Sequence, residues 1–444
     1  MTGEGASTIR TSPHRLCRGG PAHDVGTQRL HARLPDRSLR RRGSGDGGTG
    51  GTMMSHVRAM SGLDVLLAGD GPDLRGERLG LILHPASVTS DLRFSADALL
   101  SAGLDLEVLF GPQHGARGEK QDNMIESDHY TDPVTGLRVH SLYSEVRKPT
   151  QEMLDGLDAV LFDLQDVGVR VYTFVWTMAL AMEACAEAGV RFIVLDRPNP
   201  IGGLVREGPV LREGYESFVG LYPIPLRHGL TAGELARWLV RVQCIDVDLT
   251  VVPCSGWRRW MSWDDTGLPW VPPSPNLPTP TSCDVYPGMV LFEGTLLSEG
   301  RGTTRPFEFF GAPWLDPEKL AEAVQGLGEG LALRPCHFEP TFQKHQGEVC
   351  GGAQLHVTSR ERVRSVRAAV ALLAACRSVG PDPFPWRPPP YEYEETLMPI
   401  DILWGHDGLR MGIEAGAGPD EILAGVDVEL TRFGAEVEPD LLYE

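Results

Sequence analysis

Four short apolar runs, separated by segments typical of helices, most constrain the fold of this chain. The runs are Leu79–Leu83, Leu106–Phe110, Ala159–Phe162 and Phe192–Leu195. The segments between them predict helices over Phe94–Gly103, up to Leu157, and over Thr173–Ala188. Continuous apolar strands that alternate with helices are typical of βαβ units, whose parallel sheet is covered on both faces. The sequence therefore predicts an α/β protein with a Rossmann-like parallel sheet in its N-terminal domain.

The length of 444 residues is too great for one ordinary core and predicts two domains. The Pro-rich segment 268–279 predicts an irregular crossing between them, because proline removes backbone donors. We expect the Rossmann-like domain over 61–283 and a smaller α+β domain over 284–444, with a strand at Gln354–Val357 and a helix at Val363–Cys376. Residues 1–60 are expected to be a disordered extension, and a start at Met53, Met54 or Met60 explains it most simply.

Charge and composition exclude several classes of partner. The net charge is −19. Residues 1–54 carry nine Arg against four acidic residues, a charge of +5, so the remainder carries −19 − 5 = −24. A surface this acidic repels phosphate backbones. Nucleic acid is therefore not expected as a partner. No apolar stretch reaches the ~20 residues needed to cross a bilayer, so no membrane partner is expected. The eight Cys form no CxxC pair, which favours a reducing compartment, here the cytoplasm. No metal or phosphate-loop motif is present, so neither metal nor cofactor is expected.

Polar residues follow each of the four predicted strands. They are His84, then Gln113 and His114, then Asp163, Gln165 and Asp166 with Arg170 and Tyr172 beyond, and finally Asp196, Arg197 and Asn199. Each has a structural alternative: Asp166 could cap a helix, Asp196 and Arg197 could form an ion pair, and His114 could be a structural histidine. Ligands of open parallel sheets bind at the carboxyl ends of the strands, so their joint occurrence there predicts a pocket.

A second polar cluster lies in the Gly-rich segment Phe292–Glu308. It contains Glu293, Glu299, Arg301, Thr303 and Arg305, and Lys344 and His345 follow in the segment 341–347. Surface ion pairs are the structural alternative. Arginine binds carboxylates through two parallel hydrogen bonds, so the cluster suits a carboxylated or polyhydroxylated ligand. We therefore expect the Arg and Glu residues of this loop to converge with the strand-end residues on one cleft.

Seven motifs carry a resemblance to a known family. They are GPQHG (111–115), DLQDVGVRVYT (163–173), LDRPNPIGG (195–203), GLYPIPLRHGLTAGELA (220–236), PPSPNLPT (272–279), LFEGTLLSEGRGTTRPFE (291–308) and PTFQKHQGEVCGG (340–352). The chain resembles the NamZ-like exo-β-N-acetylmuramidases. The resemblance implies a cleft between a Rossmann-like and a smaller domain, and removal of terminal β-1,4-linked N-acetylmuramic acid from peptidoglycan fragments. Its motifs add His228 and Asn276 to the candidate binding residues.

The GPQHG motif departs from the family. The resemblance implies a glutamate at the centre of GPEHG as the catalytic residue, and Gln113 stands there, with His84 in place of a family asparagine. An amide cannot exchange the proton that glycosidic cleavage needs. The catalytic candidates are therefore Gln113, His114 and a displaced carboxylate, Glu119 before Glu126. We expect Arg170, Arg301 or Arg305 to bind the lactyl carboxylate, and Asp163 and Asp166 to face the sugar. The alternative is a non-catalytic muropeptide-binding protein.

Overall fold

The apolar runs of the sequence form the centre of a seven-stranded sheet in the computed structural model, which describes residues 58–118 and 128–444. The strands are β1 (Arg78–Ile82), β2 (Asp105–Gly111), β3 (Tyr130–Thr131), β4 (Arg138–Ser141), β5 (Ala159–Phe162), β6 (Arg191–Leu195), β7 (Glu207–Val210), β8 (Pro225–Arg227), β9 (Leu249–Val252), β10 (Phe309–Ala312), β11 (Leu331–Phe338) and β12 (Cys350–Val357). The seven strands run in the order β3-β4-β2-β1-β5-β6-β9, and all neighbours pair in parallel except β3 and β4. The predicted parallel sheet is confirmed.

Helices cover both faces of this sheet and continue into the second domain. They are α1 (Gly62–Leu67), α2 (Ser95–Ser101), α3 (Gln151–Leu154), α4 (Phe174–Ala188), α5 (Ala232–Val242), α6 (Trp263–Thr266), α7 (Pro280–Met289), α8 (Pro317–Ala323), α9 (Ser365–Val379), α10 (Pro399–Trp404), α11 (Gly408–Ala415), α12 (Pro419–Ile422) and α13 (Val426–Val437). The second domain adds an antiparallel sheet in the order β10-β12-β11. This arrangement confirms the predicted smaller α+β domain.

The hydrophobic core joins the two domains. Successive strand residues point to opposite faces of the sheet, so Leu81 packs with α1 and α2 whereas Ile82 packs towards α4. Helix α4 is buried nearly all round, and its apolar cluster continues to Leu291 and Leu372 of the second domain. The second domain therefore lies directly against the helical layer that covers one face of the sheet.

The described chain is already packed at its first residues. The Ala59 amide donates to the Thr266 carbonyl over 2.9 Å, and the Met60 amide donates to the Ser255 carbonyl over 2.8 Å. The last residues of the expected extension are thus part of the first domain, which corrects the boundary at 61. Residues 1–57 lie outside the described ranges, so the prediction for the rest of the extension stays a prediction.

Residues 441–444 return to the first domain. The Leu442 amide donates to Glu234 Oε1 over 2.9 Å, and the Tyr443 hydroxyl donates to Asp196 Oδ2 over 2.5 Å. The Tyr443 ring also packs edge-on against Trp257, with 4.9 Å between centroids. The chain that builds the second domain is therefore anchored by its last residues at the carboxyl end of β6. Within the described ranges, no helix has both the length and the apolar character that crossing a membrane demands.

Candidate active site

The loop after β2 presents polar side chains at the edge of the sheet because its backbone is unusually tight. A Cβ on Gly111 would lie 2.8 Å from the Ala116 amide nitrogen, so only glycine fits there. His114 takes a left-handed φ of 73°, which is uncommon for a residue other than glycine and is often found at functional sites. The turn places Gln113 and His114 at the mouth of a cleft between the two domains.

Both domains line this cleft. The polar residues around it are Gln113, His114, Tyr172, Thr173 and Ser274 from the first domain, and Tyr286, Glu293, Arg301, Tyr391 and Glu392 from the second. A mostly concave site with a few convergent polar groups is the usual form of a small-molecule site. The cleft is therefore the candidate active site.

Gln113 is held by hydrogen bonds at both ends of its amide. The Thr173 hydroxyl donates to Gln113 Oε1 over 2.8 Å, and Gln113 Nε2 donates to the Tyr143 hydroxyl oxygen over 3.1 Å. The Tyr143 hydroxyl in turn donates to Glu392 Oε2 over 2.9 Å. Burial raises the pKa of the Glu392 carboxyl to about 7. The Tyr143 hydroxyl thus links the Glu392 carboxyl to the Gln113 amide by two hydrogen bonds.

A charged network forms the opposite wall of the cleft. Arg301 Nη2 lies 2.7 Å from Glu293 Oε1, and Arg301 Nε lies 3.1 Å from Glu299 Oε1. Lys344 Nζ lies 2.8 Å from Glu299 Oε2. Burial opposes ionisation of Glu299, but Lys344 and Arg301 outweigh it and lower its pKa. Arg301 Nη1 is buried without a hydrogen-bond partner among the described residues, so it can still donate to a ligand.

Comparison with known proteins identifies the two domains. Sequence models of exo-β-N-acetylmuramidase NamZ match here, the N-terminal one over residues 79–281 and the C-terminal one over residues 284–443. The chain belongs to the NamZ family. It is 45% identical over 388 residues to the peptidoglycan β-N-acetylmuramidase NamZ of Bacillus subtilis (strain 168), which covers 87% of this chain and 92% of that protein.

Two solved structures have the same fold as this NamZ-family chain. Both are DUF1343 family proteins of Bacteroides fragilis NCTC 9343. One is 34% identical, with a TM-score of 0.78 over 87% of this chain and all of that chain. The other is 30% identical, with a TM-score of 0.68 over 87% of this chain and 99% of that chain. The two-domain arrangement is therefore shared with the NamZ and DUF1343 proteins.

Asp163, Asp196 and Arg197, which lie directly after β5 and β6, do not line the cleft. Arg197 forms a two-pronged ion pair with Asp163, with Nε–Oδ1 and Nη2–Oδ2 distances of 2.8 and 2.9 Å, and both side chains are buried. Asp196 accepts from the Thr231 hydroxyl and the Gly233 amide, and burial raises its pKa to about 6. The structure therefore places Asp163, Asp196 and Arg197 at the predicted strand ends, but in bonds that hold the sheet edge together.

The proline-rich crossing segment covers that part of the sheet edge. His84 Nε2 lies 3.0 Å from the Pro273 carbonyl oxygen, and the Tyr172 hydroxyl donates to the same oxygen. Parallel sheets usually bind ligands where the strand order reverses, which here is between β1 and β5. Because residues 268–279 occupy that position, the cleft opens beside the β2 loop instead.

The remaining candidates after β5 and β6 are also engaged with the protein. Gln165 Nε2 donates to the Asp166 and Pro198 carbonyls, and Asp166 Oδ2 accepts from the Gly168 amide. His228 Nε2 lies 3.4 Å from Asp166 Oδ2, and Asn199 Nδ2 donates to the Leu230 carbonyl. Asn276 is buried in the crossing segment. Asp166 thus shapes a turn, and it does not cap α4, whose N-cap is Thr173, nor does it line the cleft.

Several cationic candidates serve the scaffold or the surface. The Arg170 guanidinium donates to the carbonyls of Pro209, Ile224 and Leu403, and burial lowers its pKa to about 9. The half-exposed Arg305 pairs with Glu308 at 3.4 Å. Away from the cleft, His345 Nε2 lies 2.8 Å from the Leu296 carbonyl oxygen and the Thr303 hydroxyl donates to the Gly300 carbonyl over 2.5 Å. Of the three arginines expected to bind the lactyl carboxylate, Arg301 lines the cleft.

The cleft thus unites part of the predicted set with residues that sequence reasoning missed. The predicted members are Gln113, His114, Tyr172, Glu293 and Arg301, with Glu299 and Lys344 behind Arg301. The missed members include Tyr143, Thr173, Ser274, Tyr391 and Glu392. The acidic and aromatic run at 391–395, just after a proline-rich stretch, was the available signal for the last two. Glu119 and Glu126 lie outside the described residues, so the displaced-carboxylate prediction for them stays a prediction.

His84 should make the folded protein less stable in acid. Burial, with Arg197 and His114 nearby, lowers its pKa from 6.5 to about 3. Below pH 6.5 His84 binds a proton in the unfolded chain but not in the folded chain. The free energy of unfolding therefore falls as the pH falls from 6.5 towards 3. Between about pH 7 and about pH 5, the free energy of unfolding of the parent should fall by about 2 kcal/mol more than that of His84→Asn. Urea denaturation at both pH values measures this, and equal falls would contradict it.

Proposed function

We propose that this chain is a glycoside hydrolase that releases terminal β-1,4-linked N-acetylmuramic acid from peptidoglycan fragments. The observation that carries the proposal is the 45% identity to a peptidoglycan β-N-acetylmuramidase along 92% of that protein. Both domains of the family are matched, so the relationship includes both walls of the cleft. A cytoplasmic location stays a prediction.

The chemistry of the cleft suits this substrate. N-acetylmuramic acid carries a lactyl carboxylate, and Arg301 offers a buried guanidinium nitrogen that lacks a partner within the described ranges. A charge-assisted hydrogen bond to that carboxylate is stronger than a neutral one. Tyrosine, serine and threonine hydroxyls around the cleft can bind the sugar hydroxyls. We therefore assign the lactyl group to the Arg301 side of the cleft and the scissile bond to the Gln113 side.

A carboxyl group close to Gln113 favours hydrolysis over simple binding. The binding-protein alternative requires that the acid be lost with the family glutamate. Glu392 lines the same cleft and is linked to Gln113 through the Tyr143 hydroxyl. The chain therefore retains a group that can exchange a proton with a substrate.

The direct test is turnover of chromogenic sugars by the purified full chain. Nitrophenyl β-N-acetylmuramide should release nitrophenol, whereas the matching N-acetylglucosaminide, which lacks the lactyl group, should be a far poorer substrate. Reducing-end analysis of a peptidoglycan disaccharide should show free N-acetylmuramic acid. Binding of the muramide without any release of product would contradict the proposal and support the binding protein.

Arg301→Gln should remove most of the selectivity for the muramide. A hydrogen bond to a charged group contributes about 1.5–3 kcal/mol, so the muramide-to-glucosaminide ratio of kcat/KM should fall about 10- to 100-fold. The ratio is the useful measure because any loss of folded protein cancels in it. Arg305→Gln is the matched control, since its guanidinium is half exposed and paired with Glu308. A ratio that falls in Arg305→Gln and not in Arg301→Gln would move the carboxylate site to Arg305.

A further inference from the structure

Two carboxyl groups line the cleft, and they differ in how many of their oxygens accept hydrogen bonds from the protein. Glu293 accepts from Arg301 Nη2 on Oε1, over 2.7 Å, and from the Tyr391 hydroxyl on Oε2, over 2.8 Å. Glu392 accepts from the Tyr143 hydroxyl on Oε2, and this is the side-chain bond that the described part of the chain gives it. Glu293 is therefore held as the partner of a cation, whereas Glu392 has an oxygen to offer to a ligand.

The amide at position 113 fixes the direction of the hydrogen bond to Glu392. Gln113 Nε2 has only protons to give, so the Tyr143 oxygen accepts there. A phenol has a single proton, and Tyr143 therefore donates it to Glu392 Oε2. A glutamate at position 113 would compete for that same proton. In this chain the substitution instead aligns Tyr143 permanently towards Glu392 and leaves Glu392 Oε1 for a proton of its own.

Glu392 is presented on a constrained turn. Tyr391 and Glu394 exchange two backbone hydrogen bonds of 2.9 Å each, and the two residues between them have positive φ values, 46° for Glu392 and 68° for Tyr393. Such turns normally use asparagine or glycine at these positions, because a larger side chain is strained there. Strain of this kind is often found where a side chain must be aimed at a ligand.

The protonation state of Glu392 suits an acid. Burial raises its pKa to about 7, the Tyr143 hydrogen bond lowers it, the charge of Glu293 raises it, and Arg147 and Arg301 lower it. A large fraction of the carboxyl is therefore protonated at neutral pH. General acids are most effective when their pKa lies near the working pH.

We propose that Glu392 is the general acid of this cleft and protonates the glycosidic oxygen, the role for which Gln113 has no proton. The inference rests on the proposed function. As the C1–O bond breaks, its electron pair stays on the oxygen, which takes the Glu392 proton and leaves as a neutral sugar hydroxyl. The substrate's acetamido oxygen forms the new bond to C1, which is a known exception to the two-carboxylate pattern. Water then attacks C1, the bond from C1 to the acetamido oxygen breaks with its electron pair returning to the acetamido group, and the water proton passes to the Glu392 carboxylate, which restores the acid.

The test compares Glu392→Gln with the parent chain on two leaving groups. The leaving group of a muramic acid disaccharide is a sugar alcohol, which needs protonation to depart. The leaving group of dinitrophenyl β-N-acetylmuramide is dinitrophenolate, which departs without protonation. Loss of a positioned acid should lower kcat/KM for the disaccharide by about 10²- to 10⁴-fold and leave kcat/KM for the dinitrophenyl substrate nearly unchanged. Only steps up to departure of the leaving group enter kcat/KM, so the later role of Glu392 does not obscure the result. Glu395→Gln, an exposed carboxyl on the same segment, is the matched control.

Each outcome decides between readings. Equal losses on both substrates would show a structural role for Glu392 and overturn the inference, and so would an unchanged rate on the disaccharide. Turnover of neither substrate by the parent chain would refute the proposed function, and the assignment of the acid with it. A melting temperature close to that of the parent shows that Glu392→Gln is folded. A loss confined to the disaccharide supports the inference whatever the melting temperature, because misfolding would reduce both rates.

Discussion

Gln113→Glu is expected to restore disaccharide hydrolysis to a chain that carries Glu392→Gln. The two positions share the Tyr143 hydroxyl, which lies 3.1 Å from Gln113 Nε2 and 2.9 Å from Glu392 Oε2. A carboxyl at 113 would therefore line the same cleft and could deliver a proton to the same bond. The gain in kcat/KM over Glu392→Gln alone should be about 10²- to 10⁴-fold, the usual contribution of a positioned acid.

The single Gln113→Glu variant is the control for this rescue. In the parent chain an acid is already present, and a glutamate at 113 would compete with Glu392 for the Tyr143 proton, so the added carboxyl should not raise kcat/KM. A rise of about 10²-fold or more in the single variant would mean that the parent lacks a working acid, as the binding-protein alternative requires. Failure of the double variant to recover, with both single variants folded, would show that the glycosidic oxygen does not lie near position 113.

Asp163→Asn should cause the largest loss of stability among these variants. Asp163 is wholly buried and forms a two-pronged ion pair with Arg197, which is also buried. Removal of one charge leaves the other desolvated without a counter-charge, which typically costs about 3–5 kcal/mol of unfolding free energy. Urea denaturation of parent and variant measures the change. Because neither side chain lines the cleft, KM of the folded fraction should stay near that of the parent.

Two comparisons separate the buried pair from a general effect of lost charge. Asp163→Leu combined with Arg197→Met removes both charges and should recover much of the lost stability. Glu329→Gln breaks an ion pair with Arg362 in which both side chains are mostly exposed, and it should leave the unfolding midpoint unchanged. An Asp163→Asn variant as stable as the parent but with a greatly raised KM would return Asp163 to the sugar site.

Local pattern was enough to predict four of the seven strands of the sheet, β1, β2, β5 and β6, and the helices between them. The run Ala159–Phe162 is strand β5 at the predicted bounds, and helix α4 ends at Ala188 with Gly189 in the left-handed region as its cap. These features depend on neighbours in sequence. The sequence did not reveal strand β9, because Leu249–Val252 is short and partly exposed and its apolar pattern is weak.

The sequence predicted contacts of the candidate cleft between residues that are close in sequence, and it did not predict contacts between residues that are distant in sequence. Glu293 and Arg301 are eight residues apart and do meet in the cleft. Asp163 and Asp196 were assigned to the sugar because nothing local shows that Arg197 and Tyr443 occupy them. Glu392 was missed for the same reason, since its bond to Tyr143 spans 249 residues.

The return of residues 441–444 bears on how such a protein can be inherited. Tyr443 donates to Asp196 and the Leu442 amide donates to Glu234, so the last residues of the second domain are bonded to the first domain. The two domains are therefore expected to be inherited together. A recombination that exchanged residues 284–443 for those of another lineage would bring in a different tail, and a tail that does not fit beside Asp196 would cost that buried carboxyl its hydrogen bond from Tyr443. Divergence at position 113 can proceed residue by residue, but exchange of whole modules meets this additional barrier.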